Sequence, residues 1–304
     1  MSCSEIALPR VAPLQGYAGV ALAAAGWGTW CVFLRLAQAA GPIPPALSSF
    51  VVLATIALVL CPLAVQATRR RVRAPTREEY WLLIAFGVSD ALNCSLYFGA
   101  LQATSVAVAV LTHYAAPLLV ALAAPAILRE PRRPGTFAAI TLGLFGLTLL
   151  LAPWHEGPQL DAGLWKGAAL GLGSAVFYAA GVLFNKRLGR SFDACELLVY
   201  HMPSALLLLG ALVPRGSWAL ASSAWLWLIL GALGPGALAG IVFIRGLRQV
   251  PAAHASVLTL AEPLTALAIA LFAWGEPLEP TGLVGGAAIL YAGYRVVRTA
   301  NSAA

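Results

Sequence analysis

The chain consists mainly of apolar runs whose length suits a lipid bilayer. A helix needs about 20 residues to cross a hydrocarbon core of about 30 Å, and such runs follow one another with short connections. They lie at approximately 17–37, 46–66, 80–101, 107–128, 135–152, 164–185, 194–213, 224–244, 252–272 and 281–298. We therefore expect an all-α membrane protein with ten transmembrane helices and no sizeable domain outside the bilayer.

Composition and motifs narrow the class of protein further. Hydrophobic residues make up 60% of the chain and charged residues 10%, whereas soluble domains are about 45–50% apolar. The sequence has no Walker loop and no dinucleotide-binding fingerprint, and its four histidines and five cysteines show no metal-ligand spacing. We therefore expect no cofactor, no metal ion and no catalytic residues.

The formal net charge of +7 follows a pattern along the chain. If the N-terminus is cytoplasmic and ten helices alternate, 16 of the 19 Lys and Arg residues fall on the inner side. These are Arg10, the bases of "TRRRVRAPTR", "REPRR" and "NKRLGR", and Arg245, Arg248, Arg295 and Arg298. Basic loops resist translocation, so both termini are predicted to be cytoplasmic. The charge then reflects topology and contact with lipid, and no nucleic-acid partner is expected.

An internal repeat divides the predicted helices into two sets of five. Residues 81–134 and 227–280 align without a gap and share 14 identities in 54 positions, including Pro117 with Pro263 and Glu130 with Glu276. Because five is odd, the second set must enter the membrane upside down relative to the first. The sequence therefore predicts two inverted repeats, at 1–152 and 164–304, around a pseudo-two-fold axis in the membrane plane.

These features resemble a known family. Ten helices, two five-helix halves, and a proline followed by Glu-Pro in the fourth helix of each half are similar to the drug/metabolite transporter superfamily, EamA-like branch. The resemblance rests on "SVAVAVLTHYAAPLLVALAAPAILREP" and "PAAHASVLTLAEPLTALAIALFAWGEP". It implies a secondary transporter of the bacterial inner membrane that exports or exchanges amino acids, metabolites or drugs through a central cavity.

Two acidic residues are candidates for the substrate site. Asp90 and Glu262 each lie ten residues into a predicted helix, about 15 Å from its start and near the bilayer midplane. A carboxylate facing lipid there would cost about 2.5–3.5 kcal/mol, so both should face the protein interior. Asn93 and Tyr97 share one helix face with Asp90. A structural role, as a protonated helix-to-helix contact for Asp90 or beside the kink for Glu262, is the alternative.

The repeated prolines predict interruptions in the fourth and ninth helices. Proline has no N–H for the carbonyl four residues earlier, so Pro117 releases the carbonyl of His113 and Pro263 that of Thr259. A released carbonyl is tolerated in a membrane only against protein or water. We therefore expect both kinks to flank a polar cavity, although each could also serve packing alone.

Aromatic and imidazole groups complete the predicted substrate site. Trp27 and Tyr178 lie deep within their helices among small residues, where they could stack on an organic substrate or meet a cation. His113 could titrate near neutral pH, or could simply be a hydrogen-bonded packing residue.

The function predicted from the sequence is transport of a small organic solute by alternating access. Coupling to a proton and exchange of solutes are both compatible with these residues, as are a monomer and a homodimer. A non-transporting membrane protein, such as a lipid scramblase or a sensor, is the alternative. An intramembrane enzyme is disfavoured because no set of converging reactive groups can be assembled.

Overall fold

A computed structural model describes residues 14–156, 162–275 and 279–302 of the chain. Within these ranges all regular structure is helical. The Glu276 and Pro277 of the second repeated motif lie outside the described residues.

The helices are grouped into segments that match the predicted apolar runs to within a few residues. Eight segments of the described chain are long and apolar enough to cross a membrane, and Thr136–Leu151 is a shorter apolar helix. The count of ten crossings stays a prediction. In chain order the segments are α1 Leu14–Gln38, α2 Pro45–Arg69, α3 Arg77–Ala103, α4 Val106–Ile127, α5 Thr136–Leu151, α6 Ala162–Leu188, α7 Ala194–Leu212, α8 Ser222–Leu247, α9 Ala252–Trp274 and α10 Pro280–Ser302.

Capping boxes mark where α3 and α7 begin. The Thr76 hydroxyl accepts the backbone N–H of Glu79 at 3.2 Å, while the Glu79 carboxylate accepts the N–H of Thr76 at 2.8 Å. Asp193 and Glu196 form the same reciprocal arrangement at the start of α7. Each box satisfies two backbone donors that have no partner within the helix, and it places acidic side chains among the bases of the adjoining loops.

Several segments are interrupted near the middle. Proline cannot continue the helical hydrogen-bond ladder and pushes back the preceding turn, and a proline follows three of the interruptions within two or three residues. The interruptions lie at Thr29 in α1, between His113 and Ala116 in α4, at His201 in α7, at the π-helical turn Ala232–Leu238 in α8, and between Leu258 and Ala261 in α9. The breaks in α4 and α9 precede Pro117 and Pro263, as the sequence predicts, and the break in α7 precedes Pro203.

Glycine allows the helices to pack closely. The most extensive contacts join α3 to α6, α5 to α10 and α1 to α8. A Cβ added at Gly146 of α5 would lie 2.6 Å from the carbonyl oxygen of Gly285 in α10, and one at Gly246 of α8 would lie 2.8 Å from that of Gly16 in α1. These backbones meet without intervening side chains. Because lipid is as apolar as leucine, membrane helices gain little from leaving it, and close packing of this kind stabilises them through dispersion.

Ion pairs gather at one end of the helices, which we call the basic end. Arg71 pairs with Glu196 at 2.6 Å, and Lys186 lies 3.5 Å from Glu130. Further pairs there are Arg73 with Glu79 and Arg187 with Glu78. These contacts join the α2–α3, α4–α5 and α6–α7 connections, so the structure brings together on one end three of the basic connections that the sequence assigns to one side of the membrane.

The contact between α5 and α10 can be tested through its glycines. We expect Gly146→Ala to lower the free energy of unfolding by about 1–3 kcal/mol, because the new methyl group must displace the backbone of α10. Gly99→Ala in α3 is the matched control, since the Leu170 side chain, 3.5 Å away, is the nearest atom to its Cβ. The control should be neutral or gain up to about 1 kcal/mol from helix propensity. Equal thermal unfolding midpoints for the two purified variants would contradict this packing.

Candidate functional site

A cavity of about 350 Å³ lies in the middle of the helical bundle. Seven segments border it: α1, α2, α3, α6, α7, α8 and α9. Its polar lining consists of Ser48, Ser49, Asp90, Asn93, Asn185, His201 and Glu262 together with the Cys94 thiol and the Tyr178 hydroxyl. Among the predicted site residues, Trp27, Asp90, Asn93, Tyr178 and Glu262 therefore meet around one space.

Aromatic rings form much of the remaining wall. They belong to Trp27, Trp30, Phe86, Phe98, Phe177, Tyr178 and Phe243. Trp27 of α1 and Phe243 of α8 pack with ring centroids 4.7 Å apart, at the close contact between those two helices. The cavity thus offers flat apolar faces on several sides and polar atoms at a few fixed points, as small-molecule sites do.

Asp90 has a partner that the sequence analysis did not identify. The Nε2 atom of His201 lies 3.5 Å from Oδ2 of Asp90, within ion-pair distance. The other ring nitrogen, Nδ1, contacts the carbonyl oxygen of Leu197 one turn earlier in α7. Phe86 stacks on the imidazole with centroids 4.0 Å apart and an interplanar angle of 18°. The histidine ring is therefore held by three neighbours, and one nitrogen faces the carboxylate.

A close approach of α3 to the break in α7 produces this pair. A Cβ added at Gly87 would collide with the carbonyl oxygen of His201 and the hydroxyl of Ser204. The Ser204 hydroxyl donates to the carbonyl of Ile84 at 3.1 Å, which ties the second part of α7 to α3. Asp90 follows Gly87 by three residues and lies on the same helix face. The local sequence signal of the contact between Asp90 and α7 is His201, which stands two residues before Pro203 in an apolar run.

Glu262 lies in the first turn after the break in α9. Its backbone N–H donates to the carbonyl of Thr259 at 3.0 Å. Tyr178 lines the cavity together with Glu262, and the His113 ring joins Tyr178 to Tyr97 and Tyr114. The carboxylate therefore shares the cavity with the first of a group of tyrosines.

Tyr97 and His113 lie one layer behind the cavity wall. Their rings pack with centroids 4.5 Å apart, and His113 also meets the Tyr178 ring at 5.2 Å. Nδ1 of His113 forms a hydrogen bond of 2.5 Å with the Ser174 hydroxyl of α6. In the structure both residues pack beside Tyr178 and the break in α4, and neither is among the residues that line the cavity; their contact with substrate stays a prediction.

Two asparagines leave hydrogen-bond acceptors without partners at the cavity. The side-chain oxygens of Asn93 and Asn185 are buried, and neither has a hydrogen-bond partner within the described part of the chain. Both residues line the cavity. A buried acceptor without a partner costs about 1–3 kcal/mol, so a donor in the cavity, from water or a bound molecule, would stabilise both amides.

The lining as a whole favours a cation with an apolar body. Two carboxylates and two amide oxygens can accept hydrogen bonds, and the described lining contains neither Lys nor Arg. The aromatic faces can hold either the apolar part of a ligand or its positive charge. The described residues contain no group of three or more His, Cys, Asp or Glu residues that could hold a metal ion.

Known proteins with similar sequences are named as transporters. An uncharacterized transporter of Archaeoglobus fulgidus is 31% identical over 208 residues, which cover 68% of this chain and 73% of that protein. The threonine/homoserine exporter RhtA of Escherichia coli is 26% identical over 221 residues, which cover 71% and 70%. A protein solved by crystallography superposes with a TM-score of 0.79 at 21% identity, over 96% of this chain and 98% of that one, so it shares the fold.

A family profile matches this chain in two successive segments, residues 14–152 and 165–298. Together they span most of the sequence, and they include the apolar helices that can cross a membrane. With its multiple apolar helices and a central cavity, the chain is a multi-pass membrane transporter, and it belongs to the EamA-like transporter family.

Proposed function

We propose that the protein is a secondary transporter that moves a small organic solute with an amino group, such as an amino acid, outward by alternating access. The lining of the central cavity carries this proposal, because it combines two carboxylates and two free amide oxygens with aromatic faces and, in its described part, no basic residue other than His201. The name of the threonine/homoserine exporter among the relatives supports an amino acid as the substrate.

The architecture that we propose has ten membrane crossings, α5 and α10 included, as two inverted halves at 1–152 and 164–304 with both termini cytoplasmic. The pairing of helices supports it. A two-fold axis that relates each helix to the helix five places later in the chain requires contacts in matched pairs. The contact of α3 with α6 matches that of α8 with α1. The contact of α4 with α6 matches that of α9 with α1. The pairs α5 with α10 and α2 with α7 map onto themselves.

The helix breaks follow the same relation. The break between His113 and Ala116 in α4 and the break between Leu258 and Ala261 in α9 coincide to within one residue when the repeats are aligned. In our proposal these two points are hinges, one in each half. Each hinge lets the part of its helix on one side of the break change direction, while the part on the other side stays packed against the neighbouring half.

Contacts between the two proposed halves hold the basic end together, as we expect of a carrier that opens one end at a time. The Lys186 ammonium donates to the carbonyl oxygens of Leu247, at 2.5 Å, and of Val250, and it lies 3.5 Å from Glu130 of the first half. The Glu130 carboxylate also accepts the backbone N–H of Ala252 at 2.8 Å. Opening the cavity toward this end requires these contacts to separate.

The proposed substrate site is asymmetric although the scaffold is repeated. The position equivalent to Asp90 in the second half is Gly236, and the position equivalent to Glu262 in the first half is Ala116. An amine that binds one carboxylate therefore meets different groups on the two sides of the axis, so it is held in a defined orientation.

Transport can be tested in proteoliposomes loaded with unlabelled amino acids, by counterflow of labelled L-threonine and L-homoserine. We expect Asp90→Asn to reduce flux about thirty-fold or more, since loss of one charge partner costs a bound cation about 2 kcal/mol or more. Glu78→Gln is the matched control, because that carboxylate is exposed at the basic end and far from the cavity. Equal flux for both variants, or movement of a headgroup-labelled lipid in place of amino acids, would reject the proposed function.

The paired hinges allow a second test. Pro117→Ala and Pro263→Ala each restore an N–H and allow the helix to straighten. Because the two prolines lie in opposite halves, we expect both variants to transport more slowly and to favour opposite facings of the cavity. The measurement is the labelling rate of a cavity cysteine, Ser49→Cys on a cysteine-free background, from each side of the membrane. A shift toward the same side in both variants would show that the prolines serve packing alone.

A further inference from the structure

We propose that Asp90 and His201 form a binding site for one proton, which the amino group of the substrate displaces, so that the transporter exchanges a proton for each amine. This inference rests on the proposed function and adds the coupling ion to it. The pair provides the geometry for a single exchangeable proton next to the cavity.

Hydrogen bonding selects the nitrogen of His201 at which the proton is exchanged. Nδ1 contacts the carbonyl oxygen of Leu197, and a carbonyl only accepts, so this nitrogen carries a hydrogen in both the neutral and the charged imidazole. The proton that distinguishes those two forms therefore resides on Nε2. That atom faces Oδ2 of Asp90 at 3.5 Å.

One member of the pair is enclosed and the other reaches the cavity. The His201 side chain is 3% exposed and the Asp90 side chain is 27% exposed. Phe86 covers one face of the imidazole, and the contact of Gly87 with the break in α7 fixes the distance between the helices. Asp90 is thus the accessible member of the pair, where a proton or an ammonium group can arrive from the cavity.

Competition for one carboxylate makes the proton and the amine alternatives. With a protonated imidazole, Nε2–H is directed at the ionised Asp90. An ammonium group at the same carboxylate would stand beside the imidazolium and be repelled by it. The repulsion is removed when the Nε2–H bond breaks, its electron pair stays on the nitrogen and the proton passes to water in the cavity, while the ammonium of the substrate takes its place at the carboxylate. The reverse exchange releases the amine.

The surrounding ionisable groups favour this pair over other positions. Those that share the cavity lining are Cys94 on α3, Tyr178 on α6 and Glu262 on α9. Glu196, five residues before His201, is paired with Arg71 at 2.6 Å. The described parts of α1, α2 and α8 that line the cavity add no ionisable group. Glu262 shares the lining with Tyr178, whereas Asp90 and His201 are an acid and a base of the lining within ion-pair distance of each other.

Proton release upon binding tests the exchange directly. In weakly buffered detergent solution with a pH-sensitive dye, L-threonine should release about one proton per bound molecule from the wild-type protein, by thermodynamic linkage. With binding measured in parallel, His201→Gln should release close to no protons per bound L-threonine and should lose uptake driven by a pH gradient. Glu78→Gln should behave as the wild type. Release that survives in His201→Gln but vanishes in Glu262→Gln would overturn the proposal.

A measurement without substrate separates this inference from the proposed function. In protein labelled with ¹⁵N-histidine, the His201 signals are identified by their loss in His201→Gln, and their titration is followed between about pH 5 and 9. We expect the midpoint to change in Asp90→Asn and to stay constant in Glu78→Gln. An unchanged midpoint in Asp90→Asn overturns the proton site whatever the protein transports. A changed midpoint in a protein that moves no amine supports the proton site and rejects the proposed function.

Discussion

The structure depends on the requirement that backbone polar groups within a bilayer find partners inside the protein. A continuous helix meets it by itself, whereas a helix broken by proline exposes carbonyl and amide groups that only protein or enclosed water can satisfy. The breaks at His201 in α7, at Pro235 in α8 and next to Glu262 in α9 all border one space. The cavity therefore lies where interruptions of several helices meet.

Glycines at these breaks determine which side chains meet there. Gly28 of α1 lies against the backbone carbonyl of Glu262, and Gly87 of α3 lies against that of His201. A side chain at either position would separate the two helices. The first contact brings Trp27 and Glu262 to the same cavity, and the second brings Asp90 to the His201 imidazole. Residues without side chains thus position the polar and aromatic groups of the site.

The sequence predicts the helices well and the site in part, for physical reasons. Long apolar runs are local signals, so the segments agree closely with expectation. Asp90 and Asn93 reach the cavity because a polar face in an apolar helix can avoid lipid only by turning inward. The partner of Asp90 could not be derived in this way, since His201 approaches it through contacts between α3 and α7, which are distant in sequence.

The polar face of α3 extends beyond the residues that line the cavity. Tyr97 shares the heptad face of Asp90, but it lies about two turns, or 10 Å, further along the helix. There the break in α4 brings the His113 ring against it, so the neighbouring helix, not the cavity, occupies that face. In the inverted arrangement that we propose, the helices of the two halves are equivalent in the inward-facing and the outward-facing states. The two states differ because Asp90, His201 and Glu262 are placed unequally between the halves. In a carrier of this kind, positions shared by the two repeats form the hinges, and positions at which the repeats differ supply the polar groups of the substrate site.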